Sequence, residues 1–344
     1  MMNKNVFGQD QVFIIAELSA NHNGSKEIAL ETVKAAKRAG ADAIKLQTYT
    51  ADTITLDCKS DDFKIKQGTI WDGKFLHDLY KEAYTPWEWH KDIFDAAKKE
   101  GLVCLSSPFD KTAVDLLESL DNPIYKIASF EITDIPLIEY TAQTMKPIIM
   151  STGIATDEDI QLAVDTCRKA GNNDITLLKC TSSYPAPIEE ANLVMIQDLK
   201  NRYQVKSGLS DHTMSNITPI VAVTLGATVI EKHFILNKDI GGPDASFSLD
   251  EKEFTEMVSA VRMAEMAMGE VSYELTDKMR AGRDFSRSLY IAENVNKGDI
   301  ITEQNVRSVR PGYGLHPKHL KSILGKKFVG QYEKGMALKH EFFN

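Results

Sequence analysis

Apolar and polar positions follow two distinct patterns along residues 12–268. Short runs rich in β-branched side chains predict eight strands. These are residues 12–17, 42–47, 102–106, 124–128, 147–151, 175–180, 205–209 and 228–231. Apolar residues three and four positions apart predict helices between them, including residues 26–39, 86–101, 111–120, 157–170, 193–202, 217–225 and 252–268. The regular alternation of strands and helices predicts an α/β fold, the (β/α)₈ TIM barrel.

An open doubly wound sheet is the main alternative for the same alternation. It requires a glycine-rich phosphate-binding turn after the first strand, and the sequence has no GxGxxG motif there. Thr85 and Asp110 are expected to cap the helices that follow them. Residues 48–83 are too long for an ordinary connection, so we expect a functional loop with local structure of its own.

The pattern changes after residue 268. Residues 273–287 are charged, and beyond them short β-rich runs alternate with turn signals such as Asn296–Asp299 and Pro311–Gly314. We therefore expect a barrel in residues 1–272, a linker in 273–287 and a small β-rich domain in 288–344. A domain of that size has little core of its own, so it is expected to pack against a barrel, either its own or that of a second copy.

Composition narrows the function classes. The chain is 43% hydrophobic and carries a formal net charge of −9 with no basic cluster, which argues against nucleic-acid binding. The four cysteines form no CxxC pair and are expected to be reduced. The N-terminal residues 1–11 are polar, and no run of 18 apolar residues occurs, so neither a signal peptide nor a membrane span is expected. These features together favour a cytoplasmic protein.

Two histidines follow neighbouring predicted strands. His212 comes just after the seventh strand and His233 just after the eighth, at the end of a barrel where chemistry takes place. Neutral imidazoles on adjacent strands can hold one divalent cation and leave positions open for substrate. The alternative is that both are ordinary strand-end histidines.

Lysines and hydroxyl groups collect at the same strand ends. Lys45 and Lys126 lie within strands, where a charged side chain is costly unless it is paired. With the nearby serines they predict an anion pocket, to which the backbone around Ser151 and Gly153 would contribute N–H groups. Alternatively, the lysines extend outward along the barrel surface.

Three carboxylates are further candidates. Glu17 and Glu131 are predicted on opposite sides of the same mouth, where a carboxylate can move a proton or form a salt bridge with Lys45 or Lys126. Asp244, on a turn-rich loop, is either a sugar ligand or a turn residue. His22 is expected to shape its loop. We expect the other histidines to lie at the surface or to vary within a subfamily: His77, His90, His316, His319 and His340.

These motifs resemble the sialic acid synthase family, which makes nine-carbon sugar acids from phosphoenolpyruvate. The similar strings are residues 13–17 (FIIAE), 21–24 (NHNG), 41–47 (ADAIKLQ), 107–110 (SPFD), 126–129 (KIAS), 151–153 (STG), 208–213 (GLSDHT) and 230–233 (IEKH). Residues 309–312 (VRPG) resemble the family's small antifreeze-like SAF domain, which has a β-clip fold. The resemblance covers nearly the whole chain.

Within the family, three local strings are most similar to the pseudaminic acid synthases. They are residues 17–20 (ELSA), 181–185 (TSSYP) and 310–318 (RPGYGLHPK). Ser182 stands where neuraminate synthases usually carry Asn. The alternatives are a synthase of neuraminic or legionaminic acid and, from another class, a non-catalytic sugar-binding protein. Glu17, both lysines and both histidines argue against the last of these.

The resemblance implies a transferase that condenses phosphoenolpyruvate with an N-acetylated amino sugar. It implies a domain-swapped homodimer in which one SAF domain closes the other chain's barrel. It implies a divalent metal (Mn²⁺, Mg²⁺ or Co²⁺) on His212 and His233, and catalytic Glu17 and Glu131. The implied phosphoenolpyruvate ligands are Lys45, Ser107, Lys126, Ser129, Ser151, Ser182 and Ser210. The implied sugar ligands are Gln47, Tyr184, Asp244 and Arg310.

Overall fold

The computed structural model describes residues 11–344, and the chain forms two compact units, Met1–Gly269 and Glu270–Asn344. Apart from Gln11, the polar N-terminal segment considered above lies outside the described residues. No helix in residues 11–344 combines the length and apolar character that a membrane crossing requires. All four cysteines lie in the described part of the chain and are free thiols, as expected.

The first unit is a closed barrel of eight parallel strands in sequential order, which confirms the predicted fold. Its strands are β1 (Phe13–Glu17), β2 (Ala43–Thr48), β3 (Val103–Pro108), β4 (Tyr125–Ile127), β5 (Ile148–Ser151), β6 (Ile175–Cys180), β7 (Lys206–Asp211) and β8 (Val229–His233). The last two extend two residues beyond their predicted ends. They do so because pairing between β7 and β8 continues through polar residues, up to Asp211 opposite Lys232.

Helices surround the barrel and connect its strands. They are α1 (Lys26–Arg38), α2 (Ala51–Ile54), α3 (Leu76–Ala83), α4 (Trp87–Glu100), α5 (Lys111–Ser119), α6 (Ile135–Ala142), α7 (Asp157–Lys169), α8 (Met195–Tyr203), α9 (Ile217–Thr224) and α10 (Glu251–Met268). Asp110 caps α5 as predicted, accepting hydrogen bonds from the N–H groups of Thr112 and Ala113. Thr85 does not cap α4: the cap position is Pro86, and the buried Thr85 hydroxyl has no partner among the described residues.

Side-chain alternation places the candidate site. Every second residue of a strand faces the barrel interior, and the lower interior is filled by apolar side chains such as Phe13, Ile15 and Val229. Glu17 follows Ile15 by two residues on β1, and His233 follows Val229 by four residues on β8, so both side chains face the barrel interior. The interior therefore changes from apolar to polar at the carboxyl ends of the strands.

Residues 48–83 contain local structure, as predicted. The segment holds α2, a 3₁₀ turn at Asp61–Phe63, an antiparallel bridge between Lys64 and Phe75, and then α3. Between the bridge residues the chain forms an excursion, which we call the 64–75 loop. It is pinned by two backbone hydrogen bonds, from Ile65 N–H to Lys74 and from Gly73 N–H to Ile65.

The second unit is small and β-rich. It contains α11 (Asp277–Gly282), the antiparallel pair β9 (Ser288–Ile291) and β10 (Val306–Val309), and α12 (Leu320–Ile323). Isolated bridges, such as Tyr290 with Ala337, bring later parts of the unit against these strands. Its own core is a single cluster that includes Leu289, Val306 and Phe328.

Candidate active site

A cavity of about 690 Å³ opens at the carboxyl ends of the barrel strands. It gathers most of the side chains that the sequence indicated. Those that line it are Glu17, Lys45, Gln47, Lys126, Ser129, Glu131, Ser151, Ser182, Tyr184, Ser210, His212, His233 and Asp244. Ser107 lies just behind this surface, where its hydroxyl is 3.4 Å from Lys45 Nζ. Arg310 belongs to the second unit and is exposed there.

Two lysines and two carboxylates form the floor of the cavity. Lys45 Nζ is 2.7 Å from Glu17 and 3.5 Å from Glu231, and Lys126 Nζ is 3.2 Å from Glu231. All four side chains are at most 3% exposed. The lysines therefore face the barrel interior, and the alternative in which they extend outward is wrong. Pairing of this kind offsets the high cost of burying each charge alone.

The surroundings of Glu17 and Glu131, the two carboxylates at the mouth of the barrel, shift their pKa values in opposite directions. Burial alone would raise the pKa of Glu17, but the ammonium of Lys45, with His233 and Lys126, holds it well below its ordinary value. Burial raises the pKa of Glu131 from 4.5 to about 7, and Lys126 offsets only part of that effect. Glu17 is thus ionised near neutral pH, whereas the pKa of Glu131 lies close to neutrality. Such a pair can accept one proton and donate another.

His212 and His233 lie side by side, with ring centroids 5.3 Å apart. His212 Nδ1 is 2.9 Å from the Thr181 carbonyl, which places the ring proton on Nδ1 and leaves Nε2 with a free lone pair. His233 Nδ1 is buried without a hydrogen-bond partner in residues 11–344. Burial lowers the pKa of His233, which favours the neutral imidazole that a metal requires. For His212, burial acts in the same direction but Cys180 outweighs it and raises the pKa, so a metal would displace a proton from this ring.

The metal-binding capacity of this pair has a clear limit. No group of three or more His, Cys, Asp or Glu side chains within residues 11–344 has a metal-binding arrangement. The protein would therefore supply two imidazoles and leave the remaining positions to water and substrate. A divalent cation fits this donor set, because both rings present a nitrogen that no protein group occupies.

Hydroxyl groups line another part of the cavity. Ser182 Oγ donates to Ser129 Oγ at 2.9 Å, and Ser151 Oγ is buried without a partner among the described residues. A Cβ added to Gly153 would lie 2.2 Å from Ser182 Oγ, so only glycine allows the backbone to approach this closely. The Thr152 N–H donates to Leu178 instead, so this part of the predicted backbone anion site is already occupied.

The remaining predicted residues lie near the histidines. Gln47 Nε2 donates to Glu17 at 3.0 Å, and the Tyr184 ring lies 4.4 Å from that of His212. Asp244 is 3.8 Å from His233 Nδ1 and accepts a hydrogen bond from the Ala20 N–H. Asp244 is therefore more than a turn residue, since its carboxylate reaches the cavity.

Many residues that line the cavity were not proposed as site residues from the sequence, and three of them contact the predicted ones. Glu231 is the counterion that both lysines share, and it also accepts a hydrogen bond from Ser210 Oγ at 3.0 Å. Phe247 packs 4.9 Å from the His233 ring and 5.0 Å from Tyr184. Trp71, from the 64–75 loop, lies 5.7 Å from Tyr184. Strand parity could have identified Glu231, because it is two residues before His233.

The other histidines of the barrel unit lie outside the cavity lining. His22 shapes its loop, as expected, by accepting a hydrogen bond from the Gly24 N–H. The expected surface position of His77 and His90 is wrong, because both are buried. His90 Nε2 pairs with the Thr48 hydroxyl at 2.9 Å, and His77 Nε2 pairs with Asp52 at 3.0 Å.

Comparisons with known proteins match this architecture along the chain. Residues 32–273 match the NeuB family, and residues 286–338 match the SAF domain. The pseudaminic acid synthase of Campylobacter jejuni subsp. jejuni serotype O:23/36 (strain 81-176) is 50% identical over 333 residues, which cover 97% of each chain. That of Helicobacter pylori (strain ATCC 700392 / 26695) is 51% identical over 315 residues, covering 91% of this chain and 92% of the relative.

A solved structure shares the fold over the same length. The crystal structure of the Bacillus subtilis spore coat polysaccharide biosynthesis protein spsE is 32% identical and superposes with a TM-score of 0.67. The match covers 100% of this chain and 99% of that one. The family match spans more than half of the chain, and the relatives exceed 30% identity over nearly its whole length. This chain therefore belongs to the NeuB family.

Proposed function

We propose that this protein is a pseudaminic acid synthase. It condenses phosphoenolpyruvate with 2,4-diacetamido-2,4,6-trideoxy-L-altrose and water to give pseudaminic acid and phosphate. The observation that carries this proposal is the 50% identity to a Campylobacter pseudaminic acid synthase over 97% of both chains. Two named legionaminic acid synthases, at 34% and 35% identity, are more distant.

Phosphoenolpyruvate binds between the charged floor and the hydroxyl groups. Its carboxylate and phosphate face Lys45 and Lys126, since charge-assisted hydrogen bonds to ammonium groups are the strongest available here. The hydroxyls complete the site: Ser107, Ser129, Ser151, Ser182 and Ser210. Ser151 Oγ, which lacks a partner among the described residues, has a hydrogen bond to offer the ligand.

His212 and His233 would hold a divalent cation next to this site. When bound, the cation supplies Lewis-acid polarisation of the sugar's aldehyde oxygen. The two histidines would hold the cation, and their rings lie beside those of Tyr184 and Phe247. Mn²⁺, Mg²⁺ and Co²⁺ all accept such a mixture of nitrogen and oxygen ligands.

The bond changes assign roles to the two mouth carboxylates. C3 of phosphoenolpyruvate bonds to the aldehyde carbon, and the aldehyde oxygen takes up a proton. Water adds at C2 and loses one proton. The C2–O bond to phosphate then breaks as the keto group forms, and the remaining hydroxyl proton passes to the departing phosphate. The ionised Glu17 accepts the proton of water. Glu131, whose pKa burial raises to about 7, is the proton donor.

The sugar lies toward the mouth of the cavity. Gln47, Tyr184 and Asp244 bind its hydroxyl and acetamido groups, and all three line the cavity near the histidines. Arg310 of a second copy of the chain completes the site in a domain-swapped homodimer. The domains are the barrel (1–272), a linker (273–287) and the SAF domain (288–344). Because phosphoenolpyruvate is a cytoplasmic metabolite, the enzyme is proposed to work in the cytoplasm.

The test is phosphate release from phosphoenolpyruvate with Mn²⁺, comparing 2,4-diacetamido-2,4,6-trideoxy-L-altrose with N-acetylmannosamine. We expect turnover with the first sugar only, and loss of turnover when EDTA removes the metal. Turnover with only the second sugar would make the protein a neuraminate synthase. Turnover with a 2,4-diacetamido sugar of the legionaminic series would make it a legionaminate synthase. No turnover with any of them would favour a non-catalytic sugar-binding protein.

A further inference from the structure

Trp71 is the aromatic side chain that the 64–75 loop places in the cavity lining. Ile65 and residues 67–71 of the loop all line the cavity; residues 67–70 are exposed, whereas Trp71 is half-buried. The Trp71 ring lies 5.7 Å from Tyr184 and 6.3 Å from Phe247, perpendicular to the latter. We call these three rings the aromatic wall. It borders the histidine pair through Tyr184 and Phe247.

The indole N–H of Trp71 is unsatisfied. Nε1 is buried and has no hydrogen-bond partner within residues 11–344. The other two tryptophans differ: Trp87 donates to the Tyr49 carbonyl at 3.1 Å, and Trp89 packs against His22 outside the cavity. A buried donor without a partner is costly, so such donors in binding sites are expected to pair with a polar group of the ligand.

The local fold holds this donor in place while leaving it room to adjust. Asp72, the next residue, accepts hydrogen bonds from the N–H groups of Gly68 and Thr69 and so closes the turn that precedes the indole. Residues 66–70 of the loop are exposed, and the bridge between Lys64 and Phe75 closes the base of the loop. The indole can therefore align with a ligand without disturbing the barrel strands.

An acetamido group matches the chemistry of the aromatic wall. It offers a carbonyl oxygen to a donor and a methyl group to aromatic faces. We infer that Trp71 is a specificity-determining residue whose indole N–H binds the acetamido carbonyl at C4 of the sugar, while Tyr184 and Phe247 pack against that group. The inference rests on the proposed function, because that substrate carries acetamido groups at both C2 and C4.

The order of the rings outward from the histidines, Tyr184 and then Trp71, favours the acetamido group at C4 over the one at C2 as the partner of Trp71. Tyr184 lies 4.4 Å from His212, and Trp71 lies 5.7 Å from Tyr184 but makes no ring contact with either histidine. The aldehyde end of the sugar is placed at the histidines under the proposed function. Trp71 therefore meets the substituent farther from the aldehyde.

The experiment compares two forms of the enzyme, each with two sugars, as in a double-mutant cycle. Wild type and Trp71→Phe are compared for kcat/KM with the diacetamido sugar and with its neutral analogue that carries a hydroxyl at C4. Phe keeps an aromatic ring and removes the donor. We expect W71F to lower kcat/KM about 3- to 10-fold for the diacetamido sugar, the effect of one neutral hydrogen bond, and to lower it by a clearly smaller factor for the analogue. Trp89→Phe is the matched control and should affect neither sugar.

A second variant, Trp71→His, keeps a ring N–H and should retain most of the preference for the C4 acetamido group. Circular dichroism and thermal melting identify any variant that does not fold, and either folded variant alone tests the inference. An equal loss with both sugars, no loss with either, or loss of the preference in W71H would overturn it. Inactivity of the wild type with the diacetamido sugar would instead reject the proposed function, and the inference with it.

Discussion

Glu131 offers the sharpest test of the electrostatics of this site. It follows β4 in the 3₁₀ turn Ser129–Glu131, and its Oε2 is buried without a hydrogen-bond partner among the described residues. Replacing it by Gln keeps the size of the side chain and removes its titration. Glu131→Gln should therefore change how stability depends on pH.

The sign and size of the effect follow from the two pKa values. In the unfolded chain, the Glu131 carboxyl has the ordinary pKa of 4.5. In the folded protein, burial raises the pKa of the same carboxyl to about 7. The folded state binds the proton more tightly, so wild-type stability falls as pH rises between 4.5 and 7. E131Q lacks the carboxyl and therefore does not lose this stability. The unfolding free energy of E131Q minus that of the wild type should increase by about 2–3 kcal/mol from pH 5 to pH 8, at about 1.4 kcal/mol per pKa unit.

Urea unfolding of the metal-free protein, followed by circular dichroism at pH 5, 6, 7 and 8, measures the difference. Glu139→Gln is the matched control, because Glu139 is an exposed glutamate on α6 and its replacement removes the same charge from the protein surface. If the difference between E131Q and wild type were constant across this range, Glu131 would have an ordinary pKa. The reasoning from burial would then be wrong, and the assignment of Glu131 as proton donor would lose its support.

Three further changes test the metal site and the barrel. His212→Ala should weaken Mn²⁺ binding about tenfold or more in isothermal titration calorimetry while the circular dichroism spectrum is retained. Gly208→Ala should destabilise the protein by about 2–3 kcal/mol in urea unfolding, because its Cβ would lie 2.3 Å from the Val229 carbonyl oxygen. Lys232→Met should cost about 3–5 kcal/mol in the same assay, because it leaves the buried Asp211 carboxylate without its ammonium partner; an unchanged midpoint would refute this.

The barrel was predictable because its two periodicities are strong and local. Short β-rich runs indicate strands buried in a sheet, and apolar stripes at helical spacing indicate helices that pack against it. The alternation of the two along the chain predicts the closed parallel sheet. The ends of β7 and β8 were less predictable. Asp211 and Lys232 form a buried ion pair on the side of the strands away from the cavity, and in sequence such residues resemble loop residues. His90 was misplaced for a similar reason, since its hydrogen bond to Thr48 joins distant parts of the chain.

Some residues of the cavity could likewise be predicted from local sequence patterns, whereas others depend on long-range contacts. Strand-end residues such as Lys45, Lys126 and His233 could be found because the barrel topology brings every strand end to one face. Trp71 and Phe247 come from loops whose paths no periodicity describes, so their approach to the cavity could not be predicted. The pairing of both lysines with one carboxylate depends on side-chain geometry across three strands, which sequence order does not specify.

The charges of the floor suggest how one site can both bind phosphoenolpyruvate and release phosphate. Glu17 and Glu231 balance Lys45 and Lys126, so the ligand-free floor carries no net charge. The carboxylates pair with the lysines and orient them in a buried setting before the anion arrives, so little reorganisation is then required during the proposed reaction. Under the proposed function, a floor with unbalanced lysines would bind both phosphoenolpyruvate and the phosphate product more tightly, and tight binding of the product would slow its release. A neutral floor limits that affinity, and the two lysines would then stabilise the negative charge that increases on the departing phosphate in the transition state.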